Sequence, residues 1–154
     1  MPVAGVGKEG AIVSNQAQDA QRLEKFRAMP LFAECSDAAL EQLVALATEF
    51  EAERGHVLIQ PGESGAGLFV MEEGRVRVEL PRGDVELGPG EFFGELALLD
   101  EGAVHVARVS AVTPVKALAI VRDDFDRLLD EEPRMAVAML KVLARRLALT
   151  ARRT

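Results

Sequence analysis

The hydrophobic period of the chain changes twice, and this change constrains the fold more than any other feature. From residue 19 to residue 48 the apolar residues recur at helical spacing, and after Val121 they do so again. Between these limits they form short β-branched or aromatic runs, bounded by glycine, proline and serine. Many short strands separated by such turns are typical of a β-roll or jelly roll. The sequence therefore predicts a mainly β fold, an eight-stranded roll over residues 50–121 with flanking helices.

Several segments inside this region have the composition of strands. Val76, Val78 and Leu80 alternate with charged residues, which is the pattern of a half-buried strand. Turn-forming residues at 81–84 join this strand to residues 85–87, so the two are predicted to pair as a tight hairpin. Further strands are predicted at 56–59, 68–71, 104–110 and 115–121.

Helices are predicted on both sides of the roll. Residues 1–18 have no hydrophobic period and are predicted to be a flexible tail, which leaves 19–154 as one domain. Two helices are expected within 19–48, one of them at 37–48 with Ser36 as a favourable N-cap. Two more are expected within 123–152.

The last predicted helix runs from Arg134 to about residue 151 and is apolar around much of its circumference. One face is expected to lie on the roll and another on a second copy of the chain; a wholly intramolecular core helix is the alternative. All 25 acidic residues precede Arg134, whereas six of the 18 basic residues lie from that position onward. These cations either complement the dipole of their own helix or attract an acidic partner.

Composition excludes several classes of protein. The 154 residues carry a net charge of −7, which argues against a general nucleic-acid binder with a basic face. No apolar run is long enough to span a membrane, and the N-terminus lacks the apolar stretch of a secretory signal. The lone Cys35 cannot form an internal disulfide, which fits a reducing compartment. A cytoplasmic location is therefore expected.

The residue types needed for catalysis or metal binding are scarce. His56 and His105 stand far apart in the sequence, so a metal-binding histidine pair is not indicated. Cys35 has no histidine base in its local sequence. We therefore expect no metal and no enzyme activity.

The segment 90–99, GEFFGELALL, is the most informative for function. Gly94 permits a sharp turn after a strand that ends near Phe93, and the next five residues have the spacing of one helical turn. Unpaired N–H groups at such a helix N-terminus bind phosphate without a cationic side chain, and Glu95 could accept hydrogen bonds from a sugar hydroxyl. A barrel corner where Gly94 turns and Glu95 caps explains the same residues, so both interpretations stay open.

Several motifs in order resemble the cyclic nucleotide-binding domain of catabolite activators and protein-kinase regulatory subunits. MPLF at 29–32 resembles the entry helices of that family, and QPGE at 60–63 with LFVMEEG at 68–74 resembles its second and third strands. Residues 93–99 match the core of its phosphate-binding cassette. The resemblance runs from about residue 23 to residue 146.

This resemblance implies a ligand, cyclic AMP or cyclic GMP, and no other cofactor. The backbone amides and a ribose contact would come from Gly94, Glu95, Leu96 and Ala97. It also implies that ligand binding repositions the two C-terminal helices and changes contacts with a partner protein.

His105 and Val106 depart from the pattern of the family, in which an arginine and then a hydroxyl residue hold the cyclic phosphate. An arginine grips two phosphate oxygens, whereas a neutral His105 offers one donor and Val106 offers none. Binding roughly tenfold to thousandfold weaker is expected. Protonated His105 would restore a charge, so anion affinity is expected to rise as pH falls from about 7.5 to 5.5. Arg108 is expected on the other strand face as a solvent-facing strand arginine; the alternative is that a bulge re-aims it to take over the phosphate contact.

Three functions stay open from the sequence. The first is a stand-alone, non-enzymatic sensor or regulatory module of the cyclic nucleotide-binding type, working as a homodimer through the C-terminal helix. The second is a degenerate domain that serves protein interaction or dimerisation, and the third is a domain for a different small ligand. No second recognition unit follows Leu149, so no direct DNA binding is expected.

Overall fold

Two four-stranded antiparallel sheets form the roll that the sequence predicts. The computed structural model describes residues 15–62, 67–81, 83–94 and 107–152. The strands are β1 (Thr48–Ala52), β2 (Val57–Ile59), β3 (Gly67–Glu73), β4 (Val76–Glu79), β5 (Val85–Leu87), β6 (Phe92–Phe93), β7 (Arg108–Ala111) and β8 (Val115–Val121). The first sheet has the order β1-β8-β3-β6 and the second the order β2-β7-β4-β5.

Four helices of the described part of the chain flank the roll. They are α1 (Asn15–Arg27), α2 (Asp37–Leu46), α3 (Arg122–Glu131) and α4 (Pro133–Arg152). The first of them begins at Asn15, four residues before the predicted start, and residues 1–14 of the predicted tail lie outside the described ranges. None of these helices is long and apolar enough to cross a membrane.

Ser36 caps α2 as predicted. Its hydroxyl accepts a hydrogen bond from the Ala39 amide at 3.1 Å, which satisfies one of the free donors of the first turn. The helix ends earlier than expected because Ala47 is extended and Thr48 already pairs with Ala119 of β8. Strand β1 is not among the predicted strands, because it has a single buried residue, Phe50, among acidic and half-buried neighbours.

The predicted hairpin is confirmed as β4 and β5, with Val76 opposite Leu87 and Val78 opposite Val85. The predicted strand at 115–121 agrees with β8 at both ends. The described part of the predicted strand at 104–110 is displaced, because β7 starts at Arg108 and continues to Ala111. Residues 104–106 of that prediction lie outside the described ranges.

The sheet β1-β8-β3-β6 separates two apolar cores, and its strands supply alternate residues to each. Leu68, Val70, Leu118 and Ile120 face the helices and pack with Phe26, Phe32, Phe125 and Met139. Met71 and Ala117 face the interior of the roll, where they pack with Val76, Val109 and Phe93. We call these the helix-side core and the roll core.

Candidate ligand-binding site

The strand β6 leads to the predicted site and divides its two residues between the two cores. Phe92 is opposite Val70 and belongs to the helix-side core, whereas Phe93 is opposite Phe69 and belongs to the roll core. The rings of Phe93 and Phe69 stack with centroids 5.0 Å apart, and Phe50 meets Phe69 edge to face at 5.9 Å. The end of the strand is therefore held by aromatic packing as well as by the ladder.

Gly94 makes the sharp turn predicted after this strand. Its φ is +94°, and a Cβ atom at this position would lie 2.8 Å from the carbonyl oxygen of Gly67. A Cβ on Gly67 would in turn lie 2.7 Å from the carbonyl oxygen of Ile120. The chain leaves β6 with its backbone in contact with β3, which only glycine permits.

Of the six residues predicted to bind ligand, the structure describes Gly94. The other five, Glu95, Leu96, Ala97, His105 and Val106, lie outside the described residues. Their roles stay predictions.

Arg146, on α4, covers the open side of β6. Its guanidinium donates a 2.6 Å hydrogen bond from Nη2 to the carbonyl oxygen of Phe92 and lies 4.5 Å from the centroid of the Phe92 ring. In the sequence, Arg146 is one of the six basic residues that lie from Arg134 onward. An alternating or helical pattern carries no information about which distant carbonyl such a side chain will reach.

Arg108 lies at the surface of the second sheet, as expected for a strand arginine. Its guanidinium contacts the carboxylate of Glu79 and the side-chain oxygen of Gln60, both at 3.4 Å. The two contacts join β7 to its neighbour β4 and to the end of β2. Arg108 is thus engaged by protein groups on this surface.

Met135 and Met139 are core residues. Each is 2% exposed, and both pack in the helix-side core under α4.

The opposite side of α4 carries exposed apolar residues. Val137, Leu140, Ala144 and Leu147, which we call the α4 stripe, recur at alternating intervals of three and four residues. Leu140 is 67% exposed and Leu147 is 71% exposed. This spacing is the heptad pattern with which helices pair side by side.

Glu72 is a buried carboxylate between α1 and the sheet. Its side chain is 2% exposed; one oxygen lies 3.3 Å from Nε of Arg22, and the other has no hydrogen-bond partner among the described residues. Arg22 also pairs with Glu49 at 3.1 Å. Burial raises the pKa of Glu72 above its ordinary value, and this effect outweighs the opposing attraction of Arg22 and Lys25.

The junction between α3 and α4 is tied to the start of α2 by Glu132. Its carboxylate accepts a 3.0 Å hydrogen bond from the Ser36 amide, and Arg134 pairs with Glu34 at 2.8 Å beside it. Burial, followed by the charge of Glu132, raises the pKa of the Cys35 thiol to about 11. The thiol is therefore protonated at neutral pH, which does not suit a nucleophile.

A groove of about 410 Å³ lies between α4 and the connection from α1 to α2. Within the described residues, its lining comes from Pro30, Glu34 and one side of α4, and includes neither β6 nor Gly94. Within the described ranges, no group of three or more His, Cys, Asp or Glu residues is placed to hold a metal ion.

Comparison with known proteins identifies the family to which this fold belongs. The family model of the cyclic nucleotide-binding domain matches residues 49–132. The N-terminal domain of a transcriptional regulator from Streptomyces coelicolor is 37% identical, with a TM-score of 0.60, over 82% of this chain and 94% of that one. A search of curated protein sequences gives no match.

Two longer proteins are also similar. The catabolite activator protein of Thermus thermophilus is 30% identical, with a TM-score of 0.68, over 79% of this chain and 60% of that one. A cAMP-binding acyltransferase from Mycobacterium smegmatis is 32% identical, with a TM-score of 0.68, over 85% of this chain and 42% of that one. The sheet order, the Gly94 turn and the helix behind β6 therefore have one explanation: the chain belongs to the cyclic nucleotide-binding domain family.

Proposed function

We propose that the chain is a sensor module that binds a cyclic nucleotide at the turn that Gly94 begins. The backbone contact between Gly94 and Gly67 carries this proposal, because it leaves no room for a side chain at the start of the turn. Backbone amides in such a turn can approach a phosphate closely. Glu95, Leu96 and Ala97 would supply these amides and a ribose contact.

One relative supports cyclic AMP as the ligand to test first, since it is a cAMP-binding acyltransferase. Cyclic GMP shares the cyclic phosphate and the ribose, so it belongs in the same test.

Binding should be weaker than an arginine-containing site would give. His105 and Val106 take the positions at which the family pattern has an arginine and a hydroxyl residue. Arg108 is engaged with Glu79 and Gln60, so its use for the phosphate would require these contacts to break. Loss of one or two charge-assisted hydrogen bonds corresponds to roughly tenfold to thousandfold in affinity.

The output would be a change of contacts rather than a reaction. Ligand binding can shift α3 and α4 only if it has a different affinity for two arrangements of these helices. The acyltransferase relative shows that this kind of domain occurs within an enzyme, and the present chain matches 42% of that protein. We therefore place regulation, and not catalysis, in the residues described.

Isothermal titration with cyclic AMP and cyclic GMP at pH 7.5 and at pH 5.5 tests the proposal. Saturable binding at both pH values supports the sensor function, and binding that strengthens at pH 5.5 assigns the phosphate to protonated His105. A His105→Gln variant should then lose the pH dependence. No heat at millimolar ligand at either pH excludes the cyclic nucleotides and leaves a different ligand or protein contacts.

The α4 stripe favours a second function, a dimerisation module. Leu140 and Leu147 leave most of their side chains in solvent in a single chain, although a long apolar helix is normally buried. A second copy that packs its own stripe against this one would cover both. The two functions are compatible, since a sensor that pairs through α4 could pass its signal to the partner.

A further inference from the structure

The backbone of strand β6 has few ladder hydrogen bonds, because the strand is short and lies at an edge of its sheet. It consists of two residues, and among the described strands its partner in the sheet is β3. Met71 of β3 donates to the carbonyl oxygen of Glu91 and accepts from the Gly90 amide. Backbone groups alternate in direction along an antiparallel strand, so the carbonyl of the next residue, Phe92, points away from β3.

Arg146 occupies this open edge. The 2.6 Å hydrogen bond from Nη2 satisfies the Phe92 carbonyl, and the guanidinium covers the Phe92 ring at 4.5 Å. A hydrogen bond from a charged donor and a cation–π contact act on the same residue. The side chain thus takes the place that a further strand would have in the sheet.

The same contact holds the end of α4. Met135 and Met139 bury the first half of the helix, and Val142 and Leu143 are partly buried after them. Within 144–149 every residue but Arg146 is exposed. Within residues 144–149, Arg146 is therefore the side chain that reaches the roll, and it ends on β6.

We propose that Arg146 is a positioning residue, which couples the docking of α4 to the turn at Gly94. This inference rests on the proposed function in that residues 94–97 hold the ligand. Release of α4 would free the Phe92 carbonyl two residues before Gly94. Conversely, a ligand that moves the turn would weaken the contact between Phe92 and Arg146 that holds α4. Such coupling is reciprocal, because each event changes the free energy of the other by the same amount.

Hydrogen exchange of the full chain tests the coupling without any ligand. In Arg146→Ala, amide exchange should rise roughly tenfold both at the end of α4 and at 93–94, as expected for loss of one strong hydrogen bond and a cation–π contact. Arg145→Ala is the matched control, since Arg145 is exposed one position earlier on the same helix. Faster exchange at α4 alone, at neither place, or equally in the control, overturns the proposal.

Titration with cyclic AMP adds a second readout that simple packing would not change. In the wild-type chain, saturating cyclic AMP should alter exchange at the end of α4, and in Arg146→Ala this response should disappear. Arg146→Lys should keep only part of it, because an ammonium donates to the carbonyl but does not stack as a guanidinium does. An unchanged response in Arg146→Ala overturns the coupling. If the wild-type chain does not bind, the proposed function fails, and the exchange of the free protein still decides for or against Arg146.

Discussion

At the scale of single residues, Gly94 shows how the absence of a side chain lets two strands touch. Two separate requirements meet at this position: a φ of +94° and a gap of 2.8 Å to the Gly67 carbonyl oxygen for any added Cβ. Gly55 has a similar φ of +89°, but a Cβ there would meet nothing within 4 Å. A comparison of substitutions at Gly55 and Gly94 therefore separates the effect of backbone conformation from the effect of close approach.

Gly55→Ala should lower the free energy of unfolding by about 1–2 kcal/mol, the usual effect of a left-handed alanine. Gly94→Ala should lower it by about 1–3 kcal/mol more, because the new methyl group overlaps a backbone oxygen that cannot rotate away. Urea unfolding of both variants measures the difference. Equal losses would mean that β6 moves away from β3 without resistance.

Glu72 gives a prediction with a defined sign. Its pKa is raised in the folded protein, so the carboxyl group favours folding when protonated and loses this contribution as the pH rises through the folded pKa. Glu72→Gln resembles the protonated form at every pH. The free energy of unfolding of this variant, relative to that of the wild-type chain, should therefore increase as the pH rises from about 4 to neutrality.

Urea unfolding at pH 4.0 and at pH 7.5 measures this double difference. Glu73→Gln is the control for removal of a carboxylate from the same strand, since Glu73 follows Glu72 with 59% of its side chain exposed. An advantage of Glu72→Gln that shrinks as the pH rises would mean that the ion pair with Arg22 outweighs the cost of burial.

At the scale of elements, α4 serves two surfaces that differ in kind. Its first half is fixed by methionines in the helix-side core, and the α4 stripe faces away from that core. Leu149 provides a control for the α4 stripe. It is 59% exposed, but it lies two heptads after Met135 and therefore outside the stripe. Leu147 and Leu149 are thus two exposed leucines that only a partner helix would distinguish.

Leu147→Asp should raise the dissociation constant of the dimer at least about thirtyfold, as truncation of a central apolar contact does. Leu149→Asp should leave it within a few-fold of the wild-type value. Sedimentation equilibrium of the two variants and the wild-type chain measures this. A wild-type chain that stays monomeric at high concentration, or equal effects of both substitutions, contradicts pairing through the α4 stripe.

Elements that depend on residues close in sequence could be predicted, and those that depend on residues far away in sequence could not. The Ser36 cap, the hairpin of β4 and β5 and the Gly94 turn each depend on residues a few positions apart. Strand β1 depends on β8, nearly 70 positions later, and its own residues give little indication of it. Arg146 likewise depends on a carbonyl 54 positions away, which no local pattern specifies.

At the scale of the whole molecule, the charged residues are distributed along the chain in a different way from the residues of the two cores. The acidic residues all lie before Arg134, whereas the cations of α4 are the last charges of the chain. Within the described residues, two of these cations, Arg134 and Arg146, contact Glu34 and the Phe92 carbonyl. The basic end of the chain therefore fastens α4 to the rest of the fold, beyond any effect on the dipole of the helix.

Phe92 and Phe93 are neighbours in sequence, yet they fill different cores. A displacement of β6 along the normal of its sheet withdraws one ring and compresses the environment of the other. The packing densities of the helix-side core and of the roll core therefore both depend on the position of β6. A movement of this strand that raises one density lowers the other. At this strand an expansion of one core is a contraction of the other, so neither core can relax here alone.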